Sequence, residues 1–314
     1  MKLARPDVFH PRIVLAGCRR LIEGDGDDEG LVAALRGRGL HARWLSWDDP
    51  DTLRADLVIL RATWDYVDRI DEFLAWTRAV KNLLNAPDVV AWNTDKRYLL
   101  DLARAGVPTI RSAVLAPGKT VRLPSAREVV VKPSVGAGSI GARRFTDRAA
   151  ARTYVAELHD QGRSALVQEY DRRVERDGET ALVFLAGKPS HAFVKRVMLP
   201  PPGQSPELDA TGTYAVERLG RSDPDFEVWD VGFAALDAAA SHVGIDVTEF
   251  LYARVDVIGG RDDPRLLELE LVEPSLGWRQ LDAKTRDTQQ REFTLGVESA
   301  LERLGLGPLS HRRP

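Results

Sequence analysis

Residues 251–274, LYARVDVIGGRDDPRLLELELVEP, decide the fold of this chain. Two apolar runs flank a turn rich in glycine, aspartate and proline, which predicts a β-hairpin. Side chains alternate between the two faces of a strand, so Arg254 shares a face with Asp256, and Glu268 shares one with Glu270. The hairpin therefore gathers an arginine and several carboxylates.

These carboxylates indicate a cation site. Asp256, Glu268 and Glu270 repel one another at close range unless a cation lies between them. Carboxylate oxygens are the hard ligands that Mg²⁺ prefers, and Arg254 beside them is suited to neutralising charge on a transferring phosphate. The alternative is that the strands are half-exposed and the acids face water.

Composition predicts a globular protein with a small-molecule partner. The 314 residues, 44% of them hydrophobic, allow a substantial core in two or three compact units. Forty-four Lys and Arg residues against 47 Asp and Glu residues give no broad electrostatic reason to expect nucleic acid or a membrane as partner. Cys18, the single cysteine, excludes an internal disulfide. Without a transmembrane-length apolar run, we expect a cytoplasmic protein, and a homo-oligomer is compatible with the sequence.

Strand and helix patterns alternate from Arg12 to about Asn93, which predicts a βαβα unit with a parallel sheet. The predicted strands are IVLAG (13–17), ARWLSW (42–47), ADLVILRATWDY (55–66) and a short DVVAW (88–92). Helices are predicted around LVAALRGRGL (31–40) and over DRIDEFLAWTRAVKNLLN (68–85).

The end of the third strand is a candidate substrate wall, because ligands collect beyond the carboxyl ends of parallel strands. The candidate residues there are Arg61, Thr63, Trp64, Asp65 and Tyr66. The alternative is a helix entry in which Asp65 or Asp68 acts as a cap.

Two lysines with nearby motifs indicate anion binding. Asn93 or Thr94 is expected to cap a helix that ends at Gly106, which places Lys96 in its first turn, where a bound anion would explain it. A solvated lysine is the alternative. Lys132 ends a strand that leads into the glycine-rich turn of residues 133–141. That turn returns into a strand, unlike a Walker loop or a dinucleotide fingerprint, and is expected to be a flexible flap.

The rest of the chain supplies further strands, helices and one long loop. Strands are predicted at SALVQEY (164–170), TALVFLAG (180–187) and SHAFVKRV (190–197), and helices at residues 147–162, 228–244 and 289–305. MLPPPGQSPELDATGT (198–213) is expected to be a mobile loop that closes over substrate or an inert excursion.

The order of motifs from about residue 93 to 275 resembles the ATP-grasp ligase superfamily. The motifs are NTDK (93–96), VVKPSVGAGSIG (130–141), VQEY (167–170), the Lys195 strand, ARVD (253–256) and LELELVEP (267–274). They look most like the D-cycloserine synthetase group, and more distantly like glutathione synthetase and the glutamate ligases of ribosomal proteins. The resemblance implies an α/β (α+β) fold, in which an N-terminal Rossmann-like unit (1–94) precedes a lid subdomain (95–170) and a core subdomain (171–314).

The resemblance also implies that ATP lies between two antiparallel sheets. The ATP-binding residues would be Lys96 and Lys132 on the phosphates, Gly136, Gly138 and Ser139 in the flap, Gln168, Glu169 and Tyr170 around adenine, and Glu175 or Glu179 on the ribose. Lys195 and Arg254 would meet the γ-phosphate and the acyl phosphate.

Two magnesium ions would be held by Asp256, Glu268 and Glu270. Many relatives have asparagine where this chain has Glu270, so Glu270 or Glu273 is the second ligand. Glu273 and Ser275 are also candidate substrate residues.

The implied function is an ATP- and magnesium-dependent carboxylate–amine ligase or cyclase acting through an acyl phosphate on an amino-acid-like substrate. In the D-cycloserine group the reaction is ring closure of O-ureidoserine in antibiotic biosynthesis, and an intermolecular amino-acid or dipeptide ligation fits the motifs equally. The alternative is a non-catalytic nucleotide-binding scaffold or sensor. Retention of the lysines, Arg254 and the carboxylates argues against it, because a scaffold needs no transition-state groups.

Overall fold

The structure is a computed structural model that describes residues 10–196, 199–202, 204, 207–210, 212 and 214–307. The predicted loop at 198–213 therefore lies partly outside the described residues. No helix in the described ranges is long and apolar enough to cross a membrane.

Three sheets organise the described part of the chain. The helices are α1 (Leu31–Gly37), α2 (Ile70–Ala79), α3 (Pro87–Asn93), α4 (Tyr98–Arg104), α5 (Arg148–Asp160), α6 (Arg173–Asp177), α7 (Phe226–Val243) and α8 (Ala283–Arg303). The N-terminal strands are β1 (Arg12–Gly17), β2 (His41–Ser46), β3 (Leu57–Ala62) and β4 (Leu83–Leu84), and the middle strands are β5 (Ser112–Leu115), β6 (Val129–Pro133), β7 (Arg143–Phe145) and β8 (Ala165–Glu169). The C-terminal strands are β9 (Glu179–Leu185), β10 (Lys188–Arg196), β11 (Arg218–Ser222), β12 (Tyr252–Ile258) and β13 (Arg265–Glu270).

The N-terminal sheet is parallel, in the order β2-β1-β3-β4. This confirms the predicted βαβα unit, with one correction. DVVAW forms the helix α3, and the fourth strand is β4, inside the predicted second helix. Pro87 at the first helical position presets the backbone for a helix, while Leu83 and Leu84 pair with Val58 and Ile59 of β3.

The other two sheets are antiparallel, with the orders β5-β8-β6-β7 and β11-β10-β9-β12-β13. A parallel unit followed by two antiparallel sheets confirms the predicted α/β class. Strands β5 and β11 were not predicted, because β5 is short and β11, RLGRS, has no apolar alternation. The domain limits at residues 94 and 170 stay a prediction.

The central hairpin forms as predicted and brings its charged residues opposite one another. Arg254 lies opposite Glu270, and Asp256 lies opposite Glu268. Strand β13 is at the sheet edge, where unpaired backbone groups need partners. The buried Asn93 side chain donates to the Leu269 carbonyl (2.9 Å) and accepts from the Leu271 amide (2.8 Å). Asn93 therefore fixes the strand that carries the two glutamates.

The segment around Lys96 differs from the prediction. Helix α4 begins at Tyr98 and has no side-chain cap, so neither Asn93 nor Thr94 caps it and Lys96 precedes it. The Lys96 amide donates to the Ser134 carbonyl at 2.8 Å. Lys96 is thus placed by a bond to the glycine-rich turn, without help from the helix N-terminus.

Candidate active site

A cavity of about 400 Å³ opens between the two antiparallel sheets, with the N-terminal unit closing one side. Its volume is in the range of small-ligand pockets. Most of the predicted site residues line it. They are Trp64, Tyr66, Lys96, Lys132, Gly136, Gly138, Ser139, Gln168, Glu169, Tyr170, Glu179, Lys195, Arg254, Glu268, Glu270, Glu273 and Ser275.

Glu268 links the two phosphate-site lysines. Its carboxylate lies 3.1 Å from the Lys96 ammonium and 3.1 Å from the Lys132 ammonium, and Lys96 also donates to the Gly136 carbonyl. Burial by itself raises the pKa of Glu268, but Lys132 and Lys96 outweigh that effect and hold the pKa well below its usual range. The predicted metal ligand is therefore ionised and paired with the predicted phosphate ligands.

A second network joins the hairpin to β10. The Lys195 ammonium lies 2.6 Å from Asp256 and 3.1 Å from Glu179, while the Arg254 guanidinium contacts both Asp256 (3.0 Å) and Glu270. Asp256 is 1% exposed and lies beneath the pocket wall. Burial opposes its charge, but Arg254 and Lys195 lower the pKa of Asp256 below its usual value. The buried Asp256 carboxylate thus holds the Lys195 and Arg254 side chains at the pocket wall.

Glu270 and Glu273 are two acids of the site whose pKa values are raised. Burial raises the pKa of Glu270 to about 7 and that of Glu273 to about 8; neighbouring carboxylates add to both shifts. Their negative charge is disfavoured by burial and by neighbouring carboxylates. A bound cation would reverse this balance, because it stabilises the ionised form.

The donor set fits magnesium even though the described residues contain no ready cluster of three metal ligands. Magnesium is usually held by one or two carboxylates together with substrate phosphates, not by an all-protein cage. Glu268 and Glu270 line the cavity and supply hard oxygen atoms, whereas Asp256 is 1% exposed and paired with Lys195 and Arg254, so it would have to exchange a partner to reach a metal ion. Their assignment as metal ligands stays a prediction, as does the choice between Glu270 and Glu273.

Of the five candidate substrate residues at the end of β3, Trp64 and Tyr66 line the pocket and the other three do not. Arg61 is 2% exposed, pairs with Asp28 at 3.1 Å and donates to the Pro274 carbonyl. Thr63 is buried, and Asp65 accepts a hydrogen bond from the Trp47 indole. The cap interpretation for Asp65 and Asp68 is wrong. Thr63 is the N-cap of the short helical turn at Trp64–Asp68 and Arg69 is the N-cap of α2, and neither end has a side-chain cap bond.

Sequence reasoning missed a charged wall beside Trp64. Asp25 and Arg279 line the pocket and pair at 3.1 Å, and Tyr214 packs against Trp64 with ring centroids 5.5 Å apart. Asp27 positions this wall by accepting from the Gly277 amide (2.8 Å) and the Arg279 amide (3.1 Å). The acidic run at residues 25–28 was the available signal.

The segment just after the long loop contacts the glycine-rich flap beside the cavity. The Ala215 amide donates to the Gly138 carbonyl at 2.8 Å, and Leu199, Asp209 and Tyr214 contribute to the lining. Leu199 and Asp209 of the loop therefore form part of the pocket, and closure over substrate stays a prediction.

Known proteins resemble this chain along most of its length. The family model for the N-terminal domain of D-cycloserine synthetase DcsG matches residues 13–85. The cycloserine biosynthesis protein DcsG of Streptomyces lavendulae is 38% identical over 271 residues, which cover 80% of this chain and 88% of that protein. A crystal structure of D-cycloserine synthetase DcsG has a TM-score of 0.80 at 34% identity, covering 92% of this chain and 99% of that one. A D-alanine–D-alanine ligase from Bacillus anthracis, solved with ATP, shares the fold with a TM-score of 0.61 at 13% identity, covering 94% and 98% of the two chains.

Proposed function

The chain belongs to the D-cycloserine synthetase family of ATP-grasp ligases and is an ATP-dependent ligase, and from this premise we propose that it activates a substrate carboxylate as an acyl phosphate. The observation that carries the proposal is the convergence of Lys96, Lys132, Lys195 and Arg254 with acidic partners in one pocket. A non-catalytic scaffold needs no such set of paired charges.

The nucleotide enters by exchanging partners with the lysines. The phosphates of ATP replace Glu268 as the ion-pair partners of Lys96 and Lys132, and the Glu268 carboxylate would then be available to a metal ion. Magnesium, as two ions on Asp256, Glu268 and Glu270, supplies charge neutralisation and orientation of the phosphates when bound. Glu179 and Glu175 are both paired with a cation in the free protein, but Glu179 lines the pocket, so we assign the ribose to Glu179.

Lys195 and Arg254 act where charge develops. The substrate carboxylate oxygen attacks the γ-phosphorus and ADP leaves. Both side chains donate to the transferring phosphoryl group, and Asp256 keeps them oriented from below. A nitrogen of the substrate then attacks the acyl carbon, and phosphate departs with the oxygen that came from the carboxylate.

The substrate class follows from the charged wall. An amino acid whose carboxylate is activated still presents an ammonium group, which suits Asp25, and a distal carbonyl, which suits Arg279. O-ureidoserine has both groups. Ring closure by the nitrogen on its side-chain oxygen, followed by hydrolytic loss of the carbamoyl group as carbon dioxide and ammonia, gives cycloserine. With ATP as cosubstrate, the reaction belongs in the cytoplasm.

An ADP-release screen with product mass spectrometry tests the proposal. The panel contains both enantiomers of O-ureidoserine, single amino acids, and amino-acid pairs with magnesium and ATP. We expect ADP release with O-ureidoserine and a product of the mass of cycloserine. ADP release only with amino-acid pairs, and dipeptide masses, would replace cyclisation by intermolecular ligation. No turnover with any carboxylate would contradict the proposal.

A further inference from the structure

A guanidinium group covers one face of the aromatic ring at the predicted adenine end of the pocket. Tyr170 follows β8 and lines the cavity. Arg144 of β7 lies over the Tyr170 ring, with Cζ 3.8 Å from the ring centroid. The Arg144 side chain is 12% exposed. The contact is thus largely shielded from water, where a cation–π interaction is strongest.

Two acidic residues hold this stack in place. Glu175 Oε1 accepts from the Tyr170 hydroxyl at 3.2 Å and from Arg144 Nη1 at 2.7 Å. Glu128, whose side chain is 3% exposed, accepts from Arg144 Nε at 2.7 Å, and its carbonyl accepts from the Tyr170 amide at 3.0 Å. The ring is therefore fixed at its backbone, its hydroxyl and one face.

Arg172 provides an internal comparison. Its Nε donates to the other Glu128 oxygen at 2.9 Å. Both arginines contact Glu128, but Arg144 lies over the Tyr170 ring and is 12% exposed, whereas the Arg172 side chain is 61% exposed. Arg172→Lys therefore controls for the loss of a guanidinium beside Glu128, and the readout specific to the ring is the comparison of Arg144→Lys with Tyr170→Ala.

We propose that Arg144 and Glu175 are positioning residues that fix the Tyr170 ring as a platform for the adenine base of ATP. The inference rests on the nucleotide placement of the proposed function. A ring already fixed in the free protein loses less side-chain entropy on binding than a mobile one. The guanidinium occupies one face, so the base stacks on the other.

The test measures ATP binding and turnover in three variants. Arg144→Lys keeps the positive charge but loses the planar group and its fork. In Arg144→Lys the released ring must be reordered when the base binds, at a cost comparable to the contact that held it, so we expect about tenfold weaker binding of ATP with magnesium and an unchanged kcat at saturating ATP. Arg172→Lys is the matched control and should alter the Kd by less than about twofold, since an exposed ion pair contributes little. Tyr170→Ala should weaken ATP binding at least as much as Arg144→Lys.

The outcomes separate the inference from its premise. If Arg144→Lys and Arg172→Lys change the Kd for ATP equally, the positioning role alone is overturned. The same holds if Arg144→Lys leaves the Kd unchanged while Tyr170→Ala weakens binding. A normal Kd in Tyr170→Ala would overturn the adenine placement itself. If Arg144→Lys does not fold, Tyr170→Phe decides, because it keeps the ring and removes only the hydroxyl contact to Glu175. We expect about threefold weaker ATP binding from the loss of one such bond, and an unchanged Kd would overturn the inference.

Discussion

Glu268→Gln should change ATP affinity and catalysis in opposite directions. In the free protein the Glu268 carboxylate contacts the ammonium groups of Lys96 and Lys132, each at 3.1 Å. Without magnesium, ATP phosphates must compete with this internal anion for the two lysines. Glutamine is nearly the same size but uncharged, so the substitution removes the competitor together with a predicted metal ligand.

The structure sets the size of both effects. Coupling between close, buried charges is at least about 1.5 kcal/mol, so the loss of the competing charge should tighten magnesium-free ATP binding about tenfold. Loss of a group that helps stabilise transition-state charge costs about 2.7–4 kcal/mol, or roughly 100- to 1,000-fold in kcat. Removing one partner from a buried ion pair destabilises a protein by about 3 kcal/mol or more, so the unliganded variant should melt earlier and ATP should restore its stability.

Calorimetric titration with ATP in EDTA and in magnesium, with ADP-release kinetics, measures these quantities. Glu217→Gln is the control, because Glu217 is also an acid of the pocket wall but was not predicted to bind ATP or metal. It should change magnesium-free ATP affinity less than Glu268→Gln does. Weaker ATP binding of Glu268→Gln in EDTA would refute the competition argument. A wild-type kcat with unchanged magnesium dependence would refute the metal role.

Three further predictions address the arginine, the hairpin and acid stability. Arg254→Lys should lower kcat about 100- to 1,000-fold, since it loses the planar fork. Its ATP affinity, measured by titration, should stay within about threefold of wild type. If ATP binding is lost while kcat at saturating ATP is preserved, Arg254 binds the ground state and not the transition state. Asn93→Ala should lower the free energy of unfolding by about 2–4 kcal/mol in urea titrations, because it leaves the buried Leu269 carbonyl and Leu271 amide unpaired; a loss below about 0.5 kcal/mol would contradict this. Burial opposes ionisation of Asp48, but its arginine partners lower its pKa to about 2, so its stabilisation is present above pH 3.8 and disappears as the pH falls through 2. The free energy of unfolding of Asp48→Asn should therefore be lower than that of wild type at pH 7, by at most about 2 kcal/mol. This difference should disappear toward pH 2. A difference that does not depend on pH would contradict the ionised state of Asp48 as its source.

The hairpin was predictable because its chemistry is local. Alternation alone places Arg254 with Asp256 and Glu268 with Glu270 on shared faces. The exact pairing was not predictable, because a one-residue register shift between Asp256 and Val257 sets Asp256 opposite Glu268. The sequence-based prediction failed at residues 83–93, where a two-residue strand and a seven-residue helix are both too short for periodicity to separate. Pro87 was the one local signal of a helix start.

Contacts between distant segments account for the rest of the site. Asp25 and Arg279 pair across most of the chain length, and Asp27 fixes the segment that carries Arg279. Either residue read in isolation is an ordinary surface charge. The same limit applies to Asp256, whose role as the buried support of Lys195 and Arg254 emerges only when β10 and β12 lie in one sheet.

Transfer of an oxygen atom from the substrate carboxylate to phosphate distinguishes acyl-phosphate formation from simple hydrolysis of ATP. O-ureidoserine labelled with ¹⁸O in both carboxylate oxygens is turned over with ATP and magnesium, and the inorganic phosphate is examined by mass spectrometry. An acyl phosphate requires one labelled oxygen to leave with phosphate for each ADP formed, and the account predicts this one-to-one transfer. ADP release with unlabelled phosphate would mean that water, and not the substrate carboxylate, attacks the γ-phosphate, and would contradict the mechanism.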